Sequence, residues 1–199
     1  FLVHKYDISV DWSRIEAIAE MKRPRNAKEL KSFLGKLSYI RRFIPGLAAN
    51  VAAFTPLLKK GKIFEWDDVR EDAFQHLKEQ LAYLPTVQAP LPRKPLRLYI
   101  ATTDATVGGL LAQENDQGIE CPVYYISRAL HDAEKRYPKV ERMCLGLIYA
   151  SQKLRHYFLA HEIHLMTKSN PIRYLLTRPI LSGRLANWLL QLSQYSIQC

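Results

Sequence analysis

Two kinds of side chain in this sequence could do chemistry: cations that would hold phosphate and carboxylates that would hold a divalent metal. The cations gather early. Lys28, Lys31, Lys36, Arg41 and Arg42 stand along one predicted helix, and Lys59 and Lys60 close the next. On a chain of formal net charge +10 such a cluster points to a polyanion, nucleic acid ahead of an acidic membrane surface. Lys59 and Lys60 also have a local explanation, since cations complement the dipole at a helix C-terminus. The carboxylates are more scattered. Asp104 lies in Thr103-Asp104-Ala105-Thr106, Glu141 lies early in a later helix, and Asp132 or Glu162 could supply a third acid. Acids that converge could seat a divalent cation.

The remaining candidates point to structure. His4, His76, His131, His156, His161 and His164 show no metal-ligand spacing, and His161 and His164, three apart on a strand, face opposite sides. Cys121, Cys144 and Cys199 are odd in number and widely spaced, which fits reduced structural thiols better than a disulfide framework or a zinc site. Trp66, Trp188 and Tyr157 could stack on bases, but core packing is the commoner use of such rings.

Elements must position these groups. A chain of 199 residues, 48% hydrophobic and 24% charged, can bury a sizeable core as one large or two small domains. No run approaches the ~18 apolar residues of a membrane span, and Phe1-Leu2-Val3-His4-Lys5 lacks the order of a secretory signal. The expectation is a soluble protein, and a start at Phe1 rather than Met suggests a piece of a longer polypeptide. Phe1 to Asp11 reads as strand. Asp11 or Ser13 caps a helix from Arg14 to Met21, ended by Pro24, and Asn26 caps a second from Ala27 to about Phe43. Gly46 to Asn50 reads as loop, Val51 to Lys60 as a helix closed by Gly61, and Val69 to Leu81 as a helix capped by Asp67 or Asp68. Pro85 to Pro95, with four prolines, is an arm that cannot be helical. Leu96 to Gln113 is an apolar hairpin around Thr103-Asp104-Ala105, Asn115 to Gly118 a turn, and Cys121 to Ser127 a third strand. One long helix is predicted from Asp132 to Leu159, then a strand from His161 to Thr167. A short helix follows from Pro171 to Leu176, a helix from Gly183 to about Gln194 capped by Ser182, and a strand from Ser196.

The chain resembles the reverse transcriptase polyproteins of gypsy-type LTR retrotransposons along its whole length. Phe1-Leu2-Val3-His4 and Val10-Asp11-Trp12-Ser13-Arg14 look like the exit from the polymerase palm. Lys28-Glu29-Leu30-Lys31-Ser32-Phe33-Leu34-Gly35 with Tyr39-Ile40-Arg41-Arg42-Phe43 looks like the thumb that holds the template-primer. Phe64-Glu65-Trp66, Ala73-Phe74 and Leu84-Pro85 stand where the connection lies. Tyr124-Tyr125-Ile126-Ser127-Arg128-Ala129-Leu130, Leu154-Arg155-His156-Tyr157 and Gly183-Arg184 follow in the family's order. The resemblance implies an α/β fold, a small helical thumb followed by an RNase H-like mixed five-stranded sheet flanked by helices. It implies palm end and thumb over residues 1–62, connection over 63–95, and an RNase H-like tether domain over 96–199, truncated at its C-terminus.

Against the family's metal-binding pattern the sequence departs. Anchoring on Gly108-Gly109-Leu110-Leu111-Ala112-Gln113 without a gap puts Ala101 at the first ligand and leaves Asp104 in the turn. Tyr137-Pro138-Lys139-Val140-Glu141-Arg142-Met143 keeps the first acid of its motif as Glu141 but puts Met143 at the ligand. Thr167-Lys168-Ser169 puts Lys168 at the third, and a fourth carboxylate would lie beyond Cys199. The expectation is a degenerate, metal-free RNase H-like tether without cofactor, whose partners are RNA/DNA hybrid or other nucleic acid, the rest of the polyprotein and a second copy in a dimer. The polymerase aspartates would lie before Phe1. The setting would be intracellular, cytoplasmic or nuclear, or a virus-like particle. The rival is an active RNase H that cleaves hybrids with Mg²⁺ through Asp104, Glu141 and either Asp132 or Glu162. A host-recruited interaction module is the third possibility.

Overall fold

The computed structural model describes residues 2–3, 7–61, 63–167, 171–177 and 183–198. Two hydrophobic cores divide it. The first is built from strands β1 (Leu2–Val3) and β2 (Asp7–Ser9) and helices α1 (Trp12–Ala19), α2 (Ala27–Tyr39), α3 (Leu47–Asn50) and α4 (Asp68–Ala82), with the short strand β3 (Val87–Gln88). Each long helix starts where a side chain can take an orphan amide: Asp11 accepts from Ser13 N at 3.1 Å, Asn26 from Glu29 N at 2.9 Å and Asp67 from Arg70 N at 3.0 Å. Their apolar stripes meet at Leu30, Phe33, Leu37, Phe54, Phe74 and Leu77, all buried. Phe64, Trp66, Leu81 and Val87 pack in this same core with the helices before them.

Three local expectations are corrected here. The second helix ends at Tyr39, and Arg41–Phe43 is a 3₁₀ turn. The loop over Gly46 to Asn50 contains α3, entered through Gly46 at φ 62°, a conformation glycine adopts without strain. The helix expected over Val51 to Lys60 is a 3₁₀ helix, Ala52–Leu58, with Pro56 inside it.

The second core lies under a five-stranded sheet formed by β4 (Leu96–Thr102), β5 (Thr106–Glu114), β6 (Glu120–Ala129), β7 (Ile163–Met166) and β8 (Ile197–Gln198), in the order β6-β5-β4-β7-β8. The first three form the expected antiparallel meander, while β7 runs parallel to β4 and β8 parallel to β7. This mixed sheet flanked by helices is the RNase H-like layout. The proline-rich arm is pinned to it by Gln113, whose side chain is 1% exposed: Gln113 Oε1 accepts from Leu91 N at 2.6 Å and Nε2 donates to the Leu91 and Lys94 carbonyls.

The single long helix expected from Asp132 to Leu159 is three: α5 (Asp132–Lys135), α6 (Lys139–Lys153) and α7 (Arg155–Ala160). Pro138, extended at ψ 151°, is the residue before α6, and Leu154 breaks the ladder at ψ 27°. Helices α8 (Pro171–Leu176) and α9 (Arg184–Leu192) pack against α6. Gly183 flanks the start of α9 without a side-chain cap, and the cap expected at Ser182 lies outside the described residues.

Gly146 decides how close α6 comes to the sheet. A Cβ there would sit 2.7 Å from Ile100 Cγ2 and 3.1 Å from Val107 Cγ1, so only a glycine lets the helix rest on β4 and β5 at this height.

Candidate functional site

The hairpin turn after β4 and the first two turns of α6 carry two of the four acids that the sequence singles out, Asp104 and Glu141. Thr103 shapes the turn. Its amide donates to Thr106 O at 2.9 Å and its Oγ1 accepts from the Ala105 and Thr106 amides, so the turn is short and leaves the Asp104 side chain 98% exposed. Arg142 reaches down from α6, and its Nη1 donates to Asp104 Oδ1 at 2.6 Å and to Thr103 O at 2.8 Å. The next acid is also taken. Glu141 accepts from Arg184 Nη2 at 2.6 Å and from the Tyr174 hydroxyl at 3.4 Å, and Arg184 itself lies 3.9 Å over the Tyr137 ring and 5.3 Å over that of Trp188.

Met143 is buried on α6, one turn before Gly146. It stands about 200° around the helix from Glu141, so the two cannot serve the same point. On the strand, Ile100 and Thr102 lie under Gly146. Successive strand residues face opposite sides, so the exposed Ala101 between them faces away from α6. The strand position on the helix side is Thr102. The reason is parity, since one residue of register moves a side chain to the other face, and the tight Thr103 turn pairs Ala101 with Gly108. Lys168 lies outside the described residues.

The acids offered as a third ligand are paired elsewhere. Asp132 is bound by Lys135 at 2.9 Å and Glu162 by His164 Nε2 at 3.0 Å. Among the described residues no three of His, Cys, Asp and Glu stand together so as to hold a metal ion. Among the described residues the donors here do not fit Mg²⁺, which requires converging, uncompensated oxygens: Met143 offers a thioether, Thr102 a hydroxyl, and guanidinium groups hold Asp104 and Glu141.

Of the cations expected to meet phosphate, Lys28, Lys31, Lys36, Arg41, Lys59 and Lys60 are exposed. Arg42 is not free to do so. It is half-buried, donates to Val123 O at 3.3 Å and lies 4.9 Å over the Tyr124 ring, joining the N-terminal unit to β6. Burial pushes the Cys144 thiol up to about 12, in keeping with a structural role. Sequence reading passed over Arg142 and gave Arg184 no role. Arg184 was visible within Gly183-Arg184, whereas nothing local signals that Arg142 would meet a turn 38 residues earlier.

Residues 91–195 match the family model described as "RNase H-like domain found in reverse transcriptase". Curated relatives include the retrovirus-related Pol polyprotein from transposon opus of Drosophila melanogaster, 29% identical over all of this chain and 21% of that protein. They also include the Pol polyprotein from transposon 297 of the same fly, 30% identical over 93% of this chain and 17% of that protein. The Tf2-3 transposon polyprotein of Schizosaccharomyces pombe is 29% identical over 87% of this chain and 12% of its own length. The chain thus spans about a fifth or less of these relatives. A foamy viral protease-reverse transcriptase solved with dsDNA superposes with a TM-score of 0.79 at 18% identity, over 98% of this chain and 44% of that one. The same viral enzyme with an RNA/DNA hybrid gives 0.77 at 20% identity, over 95% and 26%. Identities this low show the fold.

Proposed function

The chain belongs to the family of RNase H-like domains found in reverse transcriptase, and from that membership we propose that it is the non-catalytic thumb and RNase H-like connection of a gypsy-type retrotransposon reverse transcriptase. It binds and positions RNA/DNA template-primer for a polymerase active site carried elsewhere in the polyprotein. One observation carries the non-catalytic part: Arg142 and Arg184 hold the Asp104 and Glu141 carboxylates, on the same turn and helix start where Met143, an apolar side chain, is buried. A guanidinium bound to each acid supports a site closed by ion pairs rather than one open to a divalent cation. The binding part is supported by the net charge of +10 and the exposed lysines of α2 and after the 3₁₀ helix, and by the nucleic acids held by the structural neighbours.

The tether role fits a retroelement in which one RNase H-like copy has lost its ligands and a second, active copy follows. The site of action is intracellular, in cytoplasm, nucleus or a virus-like particle. A homodimer with one structural copy is the proposed assembly, checked by light scattering after size exclusion. Among the described residues no helix is long and apolar enough to cross a membrane. The test of function is incubation with RNA/DNA hybrid and Mg²⁺ or Mn²⁺, alongside binding measured across a salt series. The expected result is binding that falls steeply with salt and no cleavage. Robust cleavage that Asp104→Asn abolishes would overturn the reading in favour of an active nuclease, and binding insensitive to salt would favour an interaction module.

A further inference from the structure

The N-terminal unit and the sheet unit meet along β6, and the seam is only partly closed. Arg42 and the 2.9 Å bond from Ala48 N to Ser127 Oγ tie it shut at two points. Beside them runs a cleft of about 270 Å³ whose walls come from both units. Its charged side chains are Arg41 from the 3₁₀ turn, Arg128 from β6 and Lys153 from the last turn of α6, and no aspartate or glutamate lines it. Arg128 is spoken for by Glu134, at 2.8 and 3.1 Å. Arg41 and Lys153 make no ion pair among the described residues.

Burial, and after it the charge of Arg41, draws the Lys153 ammonium below its usual range. Two cations from different units are therefore held in one acid-free cleft at a cost that an anion would offset. The Tyr149 hydroxyl, which donates to Ser127 O at 3.3 Å, walls the cleft without offering a competing negative charge. At about 270 Å³ the space lies below the usual range of ~300–1,000 Å³ for pockets that enclose a whole small molecule. It suits one group of a larger ligand.

We propose that this cleft seats one backbone phosphate of a nucleic-acid strand, clamped between Arg41 of the N-terminal unit and Lys153 of the sheet unit. This deepens the nucleic-acid reading above and rests on it. The clamp gives the strand a grip on both units at once, so binding fixes their mutual orientation.

The experiment uses the full chain with a short RNA/DNA hybrid. Lys153→Gln and Arg41→Gln each weaken binding several-fold, and Lys153→Arg restores it. Because both cations neutralise the same phosphate, the double variant lowers the steepness of log K against log salt by about 0.9, the value for one contact with B-form duplex, and not by twice that. Hybrid also shields the Lys153 amine from reductive methylation. If Lys153→Gln binds as tightly as the unaltered chain while Lys28→Gln binds less tightly, the clamp is wrong and the nucleic-acid reading stands. If the unaltered chain fails to bind hybrid, that reading falls and the clamp with it. Fully additive losses in the double variant overturn the shared phosphate, and shielding by inorganic phosphate or a mononucleotide but not by hybrid assigns the cleft to a free anion instead.

Discussion

Gly146 offers a direct test of how α6 is seated on the sheet, because two opposing effects of one methyl group can be weighed. In Gly146→Ala the new Cβ would lie 2.7 Å from Ile100 Cγ2 and 3.1 Å from Val107 Cγ1, whereas carbon atoms prefer about 3.5–4.0 Å. Something must move by roughly 1 Å. Both neighbours are β-branched with little χ1 freedom; Val107 is buried in the core and Ile100, partly buried, packs against it, so the helix and strand themselves must part. Such overpacking costs about 1–3 kcal/mol, while alanine returns about 1 kcal/mol of helix propensity. A net loss of up to about 2 kcal/mol follows, equal to a fall in Tm of up to about 8 °C for a chain of this size. Gly35→Ala in α2 is the matched control, since a Cβ there meets nothing within 4 Å, and it should gain about 0.5–1 kcal/mol. Both are read by urea and thermal unfolding followed by circular dichroism. Were Gly146→Ala to stabilise the chain as much as Gly35→Ala, α6 would not rest on β4 at the height described, and the positions given to Met143 and Arg142 would lose their basis.

Further outcomes follow from single contacts. Asp104→Asn breaks an ion pair whose acid is 98% exposed, so it should cost less than about 1 kcal/mol in urea unfolding and leave hybrid affinity unchanged. Arg42→Ala should cost about 1–3 kcal/mol, because the guanidinium both hydrogen-bonds Val123 O and covers the Tyr124 ring; differential scanning calorimetry should then resolve the two units, and an unaltered single transition would argue against the tie. At pH 8 iodoacetamide should label Cys121 and spare Cys144, whose thiol ionises only near 12, as read by peptide mass spectrometry of the native chain. The Glu134 carboxyl is raised by burial but held below its usual 4.5 overall by Arg128 and the His131 amide. A depressed carboxylate stabilises the fold above its unfolded value and loses that contribution as pH falls through the folded one. Acid unfolding should therefore be shallower below pH 4.5 in Glu134→Gln, and an unchanged acid limb would refute the pairing.

Much of the fold was legible in the sequence because it is written in local terms. Asp11, Asn26 and Asp67 cap the helices they precede, the apolar alternation of β4 and β5 marks the hairpin, and the order of strands and helices specifies an RNase H-like sheet. The break at Pro138 was half visible, since the proline was seen but its extended ψ sets it before α6 rather than inside one helix. Other features had no local signature. Whether Ala101 or Thr102 faces α6 depends on a register fixed by Thr103 and by the approach at Gly146, and one residue of strand reverses the face. That Arg142 would meet Asp104, Arg184 meet Glu141, and Arg41 share a cleft with Lys153 depends on side chains brought together across 38, 43 and over 100 residues of chain. Charge and residue type are properties of the sequence, whereas which charge compensates which is set by distances that exist only once the chain has folded.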